Sequence, residues 1–142
     1  MGRCARDGRY SAGAVASPLN FLAIGLGAAI GAWLRWGLGL WLGSLHGFVQ
    51  IGTLAANLLG GFLIGCALAF FADQPGLAPH WRLFIITGFL GGLTTFSSFS
   101  GESMTLLQRG DIGWALAHTA LHLIGSLLCC MAGFALLRTL RG

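Results

Sequence analysis

Charged residues are scarce in this sequence, and lysine is absent altogether. Eight arginines and four carboxylates leave only 8% of the 142 residues charged, against roughly 25% in an average soluble domain. A soluble fold of this size could not cover its surface with so few charges. The composition therefore excludes a cytosolic enzyme and a disordered chain. The arginines also stand singly and form no basic patch, which excludes a nucleic-acid partner.

Cysteine is sparse as well, and its spacing carries no pattern. The four cysteines include no C-x-x-C pair, and Cys66, Cys129 and Cys130 fall in apolar segments, where cysteine behaves as a small hydrophobic residue. What the chain has instead is hydrophobic residues, 56% of the total, and 24 glycines. Glycine in that proportion, without a collagen period, indicates helices that pack closely in a lipid bilayer.

The few charges divide the chain into apolar segments long enough to cross a bilayer, which takes about 20 residues. Arg35, Arg82, Glu102 and Asp111 mark boundaries, and the GSLHG segment at residues 43–47 divides the longest uncharged stretch. The connections are short, so consecutive helices must run antiparallel. The sequence therefore predicts an all-α membrane protein with four transmembrane helices, at about residues 19–41, 49–72, 81–108 and 112–137.

The first 17 residues differ from the rest of the chain. Arg3, Arg6, Asp7 and Arg9 stand there among small residues, which predicts a disordered and dispensable tail before a membrane domain at residues 18–142. A basic start followed by a short apolar run also resembles a signal peptide, and this alternative stays open. Three further spans follow in either case.

Paired glycines stand in the middle of the third predicted helix. Residues 88–95 read GFLGGLTT, and each glycine inside a helix costs up to ~1 kcal/mol relative to alanine. A break there would free backbone N–H and C=O groups, which are tolerated at membrane depth only inside protein or facing a polar cavity. Because broken membrane helices often bind ions, we expect a functional break in helix 3. Helix packing is the alternative interpretation of the same glycines.

A stripe of hydroxyl and aromatic residues follows the glycine pair. Five of the seven residues at 94–100 carry a hydroxyl, and Phe96 and Phe99 share one helix face. As a cluster these hydroxyls offer O–H donors along a pore, although each alone can also bond its own helix. Other polar groups stand within the apolar spans of helices 2 and 4: Asn57, His118, His122 and Ser126, the last three at i, i+4 and i+8.

These groups share one chemical property, because all are neutral hydrogen-bond donors. The electropositive edge of a Phe ring adds to them. Such a set suits a small anion that must shed water, whereas a cation pathway would use carboxylates or rings of carbonyls. Glu102 is the one carboxylate candidate near the stripe. The residues therefore predict an anion pathway.

Three blocks of the sequence stand out by their order and spacing. They read GAAIGAWLRW at residues 27–36, GTLAANLLGGF at residues 52–62 and GFLGGLTTFSSFSGE at residues 88–102. On these blocks the chain resembles the Fluc (CrcB) fluoride channels of bacteria, from about Leu19 to Arg138. The resemblance implies a fluoride-specific channel for passive export of fluoride across the bacterial cell (inner) membrane. It also implies an antiparallel, dual-topology homodimer with two pores.

The resemblance further implies roles for individual residues. Phe96 and Phe99 would meet fluoride with their ring edges, and Asn57 would be the pore amide on helix 2. Arg35 would lie near the vestibule. The backbone carbonyls of Gly91 and Thr94 would hold a structural sodium ion that is bound but not transported. The full set of predicted pore residues is Asn57, Thr95, Phe96, Ser98, Phe99, His118, His122 and Ser126.

Helix 4 departs from the family pattern at two positions. Relatives have Tyr and Ser where His118 and His122 stand, whereas Ser126 agrees. Histidine keeps the capacity to hydrogen-bond but can also become charged, so we expect the flux to depend on pH. The alternative is that both histidines only bridge helices. The i, i+4 spacing of the two histidines also fits metal ligands, but no third ligand stands nearby in the sequence.

Three other functions stay open at this stage. A small four-helix dual-topology exporter would need a titratable carboxylate in helix 1, yet none stands between Asp7 and Asp73. An intramembrane serine hydrolase could pair Ser97, Ser98 or Ser100 with one of the two histidines, but a G-x-S-x-G motif is absent. A non-conducting membrane assembly subunit is the third.

Overall fold

The computed structural model describes residues 17–45 and 49–141. Except for Ser17, the expected tail lies outside the described residues. Ser17 itself begins the first helix, because its hydroxyl accepts a hydrogen bond of 3.3 Å from the backbone N–H of Asn20. Pro18 occupies the first turn, where its missing N–H costs nothing.

Within the described residues, four helical segments are long and apolar enough to cross a membrane, which confirms the predicted number of spans. The first is α1 (Pro18–Leu42) and the second is α2 (Ile51–Ala72). The third consists of α3, residues 79–93, and α4 (Phe96–Gln108). The fourth is α5 (Ile112–Arg141). The short turns between them make consecutive spans antiparallel.

The turn between α1 and α2 contains a small antiparallel ribbon that the sequence analysis missed. The strand β1 (Ser44–Leu45) pairs with β2 (Val49–Gln50). The second helix was expected to begin at about residue 49; α2 begins two residues later, at Ile51, because Val49 and Gln50 belong to the ribbon. Gly43 ends α1 with φ of +66°, which an L side chain rarely adopts.

The third span is irregular along its length. Within α3, residues Leu83–Leu90 are π-helical between the α-helical turns Pro79–Arg82 and Gly91–Leu93. Thr94 and Thr95 then have extended backbone, with ψ of 155° and 118°. Thr95 caps α4, because its hydroxyl accepts a hydrogen bond of 3.1 Å from the N–H of Ser98. A second π-helical stretch, Leu121–Gly125, lies within α5 and contains His122.

Glycines bring the backbones of neighbouring helices into contact. A Cβ on Gly61 of α2 would lie 2.6 Å from the carbonyl oxygen of Ser126 in α5, and one on Gly65 would collide with that of Cys130. Gly27 and Gly31 of α1 pack against α3 in the same way. Two helix pairs, α1 with α3 and α2 with α5, therefore depend on the absence of side chains at these positions.

We predict that Gly65→Ala lowers the thermal stability of the protein in detergent, because its methyl group would meet the Cys130 carbonyl and approach the Phe134 N–H to 2.8 Å. The measurement is the fraction of monodisperse protein after heating, followed by size-exclusion chromatography. Gly25→Ala is the matched control, since a Cβ there would meet nothing within 4 Å. Equal stability of the two variants would refute the packing role of Gly65.

Candidate functional site

The two extended residues of the third span are held by one side chain of α2. The amide of Asn57 accepts a hydrogen bond of 2.7 Å from the Thr95 N–H through Oδ1. Its Nδ2 donates a hydrogen bond of 3.0 Å to the Thr95 carbonyl. In a continuous α-helix the Thr95 N–H would bond the carbonyl of Gly91, four residues earlier. Asn57 thus replaces the helical hydrogen bonding of Thr95 with a reciprocal pair.

Asn57 also reaches the fourth span. Its Nδ2 lies 3.0 Å from Nδ1 of His122. His122 is buried, with 4% of its surface exposed, and its Nε2 has no hydrogen-bond partner within the described part of the chain. One amide therefore connects α2 with both the interrupted third span and α5.

Four aromatic rings contact one another beside this amide. Phe99 lies over His122 with 5.0 Å between ring centroids and over His118 with 5.5 Å. The rings of His118 and His122 are 4.4 Å apart. Phe96 contacts Phe99 edge-on at 5.4 Å. Phe96 projects outward, with 79% of its surface exposed in the single chain.

A cavity of about 380 Å³ lies between α2, the third span and α5, bordered by Asn57, His122, Phe96 and Phe99. Most of its wall is apolar, from residues such as Ile64, Ile86 and Leu90. The structure brings together there six of the eight predicted pore residues and both residues of the predicted sodium site. They are Asn57, Gly91, Thr94, Thr95, Phe96, Phe99, His122 and Ser126.

Arg35 and Ser98, also singled out from the sequence, lie at a second cavity of about 430 Å³, together with Thr53. Arg35 donates through Nε to the carbonyl of Gly92 over 3.2 Å. The guanidinium of Arg35 is therefore hydrogen-bonded to the residue that follows Gly91 in the chain. Ser98 lines the second cavity, and Thr95 lines the first. The Ser98 hydroxyl accepts a hydrogen bond of 3.1 Å from the Thr95 hydroxyl, so the walls of the two cavities are in contact.

His118 lies beside the first cavity rather than in its wall, in a network that sequence reasoning missed. Its Nε2 is 3.2 Å from Oε2 of Glu102, and its Nδ1 is 3.0 Å from the Ser103 hydroxyl. Glu102 also accepts a hydrogen bond of 3.0 Å from the N–H of Gln50. In the sequence, Glu102 stood out only as a single carboxylate close to an apolar span. Nothing in the sequence indicated that His118 is its partner.

Ser103, His118 and Glu102 are the residue types of a hydrolase triad, but they lack the oxyanion hole that a hydrolase needs. Ser103 lies in the middle of α4, where neighbouring backbone N–H groups are used by the helix and cannot form an oxyanion hole. The serines considered from the sequence bond elsewhere: Ser97 and Ser98 to Thr95, and Ser100 to the Phe96 carbonyl. This geometry gives no support to hydrolysis.

Metal ligands of the His, Cys, Asp and Glu type do not converge in the described ranges, where no group of three could hold an ion. The Gly91 and Thr94 carbonyls are a different kind of donor. Hard cations take six or more oxygens in well-formed sites, so two carbonyls of one chain would be only part of such a site. The Gly91 carbonyl does not accept the Thr95 N–H that a continuous helix would give it, because that N–H bonds Asn57.

Comparison with known proteins agrees with this class of structure, a multi-pass helical membrane protein. Residues 22–134 match the family described as CrcB-like protein, Camphor Resistance (CrcB). A protein of Cupriavidus pinatubonensis named fluoride-specific ion channel FluC is 60% identical over 116 residues, covering 82% of this chain and 92% of the relative. A protein of the same name from Ralstonia pickettii is 54% identical over 123 residues, covering 87% and 98%. Another, from Pseudomonas aeruginosa, is 60% identical over 114 residues, covering 80% and 90%.

The chain therefore belongs to the CrcB family, as the three sequence blocks indicated. The family match spans all four helical segments. The match includes Asn57 with its partners Thr95 and His122, and Glu102 with its partners Gln50 and His118.

We predict that Asn57→Ala destabilises the protein more than Ser100→Ala does. The first change leaves the Thr95 N–H without its partner at membrane depth, and such a group costs on the order of 1–3 kcal/mol. The second removes only a hydroxyl that bonds its own helix. Thermal unfolding in detergent and hydrogen exchange at the Thr95 amide are the measurements. Unchanged exchange at Thr95 in Asn57→Ala would contradict the reciprocal pairing.

Proposed function

We propose that this chain is a fluoride-specific ion channel that lets fluoride leave the cytosol passively and so lowers its toxic concentration. The observation that carries the proposal is the first cavity, where polar groups of three spans meet the rings of Phe96 and Phe99. Its relatives at 54–60% identity are named as channels of this kind.

The chemistry of the cavity suits a small anion that must lose its water. Hydroxyls such as that of Ser126 and the phenyl ring edges offer partial positive charge without a full charge. Conduction requires binding that is favourable enough for entry and weak enough for release. Neutral donors meet both conditions better than an arginine inside the pore. Arg35 at the second cavity is then placed to attract fluoride toward the entrance, which is the vestibule role we assign to it.

A second copy of the chain is needed to complete the pathway. The Phe96 ring is 79% exposed in the single chain although it belongs to the cavity wall, and Ser97 next to it is also exposed. We propose that a second copy covers these residues in an antiparallel, dual-topology homodimer with two pores. Antiparallel pairing places the same groups at both ends of the assembly, so either face can admit fluoride.

The interruption in the third span has a second proposed role in this dimer. We assign the Gly91 and Thr94 carbonyls to a structural sodium ion that is not transported. Two copies of the interruption meeting on a two-fold axis would offer four carbonyls, which brings the oxygen set closer to what a hard cation takes. Bound sodium would supply positive charge at the dimer centre and hold the two copies together.

Passive flow is sufficient for export. An inside-negative membrane potential favours the exit of an anion by about 2.3 kcal/mol per 100 mV. A coupled exporter would instead need a titratable group within its transport path. The described part of α1 contains no carboxylate, and Glu102 is engaged by both His118 and Gln50. The hypothesis of a non-conducting assembly subunit offers no reason for polar groups from three spans to converge on one cavity of an apolar bundle.

We predict that Phe99→Ile or Phe96→Ile reduces fluoride flux at least about tenfold while the dimer stays intact. Isoleucine keeps apolar volume but removes the electropositive ring edge. Flux is measured with a fluoride electrode on vesicles containing purified protein, and the dimer by chromatography. Phe21→Ile is the matched control, because Phe21 is also exposed (68%) but belongs to α1 and not to the cavity. Wild-type flux in both pore variants would exclude these rings from the pathway.

We predict that a chain starting at Ser17, with an added initiator methionine, inserts in both orientations. The end of the molecule that contains the α2–α3 turn and the C-terminus carries Arg82, Arg138 and Arg141, and the opposite end carries Arg35 and Arg109. Three arginines against two give a weak orientation signal. Topology reporters fused to the C-terminus are the measurement, with the full chain as the control.

The full chain adds Arg3, Arg6 and Arg9 to the end that is already richer in arginine. It is therefore expected to favour a cytoplasmic N-terminus more than the shortened chain does. A single fixed orientation of the shortened chain would refute dual topology.

A further inference from the structure

We propose that His122 binds the permeating anion directly through its Nε2–H group, and that Asn57 positions this donor by fixing the tautomer of the imidazole. The ligand class is a small anion that accepts hydrogen bonds, with fluoride as the ion used in the test. This inference deepens the proposed function and rests on it. It is carried by hydrogen-bond geometry around Asn57 and by the burial of His122.

The orientation of the Asn57 amide is determined by Thr95. Of the two ends of the amide, the Thr95 N–H can bond only the oxygen, and it lies 2.7 Å from Oδ1. The Thr95 carbonyl can accept only from the amide nitrogen, and it lies 3.0 Å from Nδ2. Exchanging the two ends of the amide would place donor against donor and acceptor against acceptor. The assignment of nitrogen and oxygen in Asn57 is therefore settled by two backbone groups.

The amide in turn determines the imidazole. Nδ2 of Asn57 has two hydrogens, one of which serves Thr95, and it lies 3.0 Å from Nδ1 of His122. A side-chain amide nitrogen is only a donor, so Nδ1 must be the acceptor in this contact. In neutral histidine the proton then belongs to Nε2. The chain from Thr95 through Asn57 to His122 thus fixes which nitrogen carries hydrogen.

This leaves an N–H donor without a partner in the structure. Nε2 is buried and bonds no other group of residues 17–45 and 49–141. A buried donor left unpaired costs on the order of 1–3 kcal/mol. The neighbouring His118 does not satisfy it, because its two nitrogens face Glu102 and Ser103. A ligand that accepts a hydrogen bond from Nε2 would remove this cost.

The surroundings favour an anion over water as that ligand. His122 lines the first cavity, whose wall is mostly apolar, and Phe99 stacks on its ring at 5.0 Å. A buried water molecule needs about three polar partners, including acceptors for its own hydrogens. A fluoride ion needs only donors, and it gains further from the ring edges of the two phenylalanines. The Nε2–H group of His122 would therefore replace one of the water molecules that hydrate the ion.

Two substitutions separate the roles of the imidazole nitrogens. His122→Asn keeps a polar group near the position of Nδ1, where its oxygen can still accept from Asn57, but it has no donor at the position of Nε2. His122→Gln places an amide N–H near Nε2. We expect His122→Asn to raise the fluoride concentration for half-maximal flux about tenfold or more, the scale of one hydrogen bond to an ion. We expect His122→Gln to stay within about threefold of the wild type.

A spectroscopic measurement adds a readout that does not depend on flux. Histidine labelled with ¹⁵N in the full-length protein in lipid reports each ring nitrogen by solid-state NMR, and the His122 signals are those lost in His122→Gln. We expect protonated Nε2 and unprotonated Nδ1. Adding fluoride is expected to dephase the Nε2 signal through ¹⁹F–¹⁵N dipolar coupling, while chloride at the same concentration leaves it unchanged.

The outcomes distinguish this inference from the proposed function. If the wild type conducts fluoride but His122→Asn matches it, or if Nε2 is unprotonated or unaffected by ¹⁹F, direct binding at His122 is refuted and the channel function stands. If His122→Gln loses as much as His122→Asn, the imidazole acts by shape, which also overturns the inference. A wild type without fluoride flux refutes the proposed function itself.

Discussion

The structure depends on one constraint, that backbone polar groups at membrane depth must be paired. The third span is not helical at Thr94 and Thr95, which have extended backbone between α3 and α4. Within a bilayer such a segment is tolerated only where protein or a polar cavity satisfies it. Asn57 does so by bonding both the N–H and the C=O of Thr95. A single amide on α2 therefore makes the irregular third span possible.

The polar groups of the site follow from that pairing. Asn57 can bond Thr95 only if α2 lies close to the third span, and glycines on α2 also bring α5 near enough for His122 to accept from the same amide. Phe99, one turn beyond Thr95, then stacks on the histidines of α5. The resulting cavity contains donors but little charge, which is the environment a dehydrated anion requires. In the channel that we propose, the residues that pair the backbone of the third span also line the ion pathway.

Sequence reasoning was strongest where a residue type is rare in its surroundings. Sparse charges indicated four apolar spans, and Asn57 stood out as a lone amide in the second of them. It was weakest where contacts depend on the rotation and register of α5 against α2 and α4. The pairing of His118 with Glu102 and Ser103 and that of His122 with Asn57 join residues 15 to 65 positions apart. Helical periodicity cannot relate such residues. The ribbon at β1 and β2 was missed because two-residue strands leave no alternating pattern.

The most direct test of the central claim is anion efflux from lipid vesicles containing only the purified wild-type protein. Vesicles are loaded with fluoride or with chloride, a potassium ionophore sets the potential, and ion-selective electrodes follow each anion. Rapid fluoride efflux with at least about a hundredfold slower chloride efflux is expected, because neutral donors and ring edges in a narrow cavity favour the small anion. Equal efflux of both anions, or none above that of protein-free vesicles, would contradict a fluoride-specific channel.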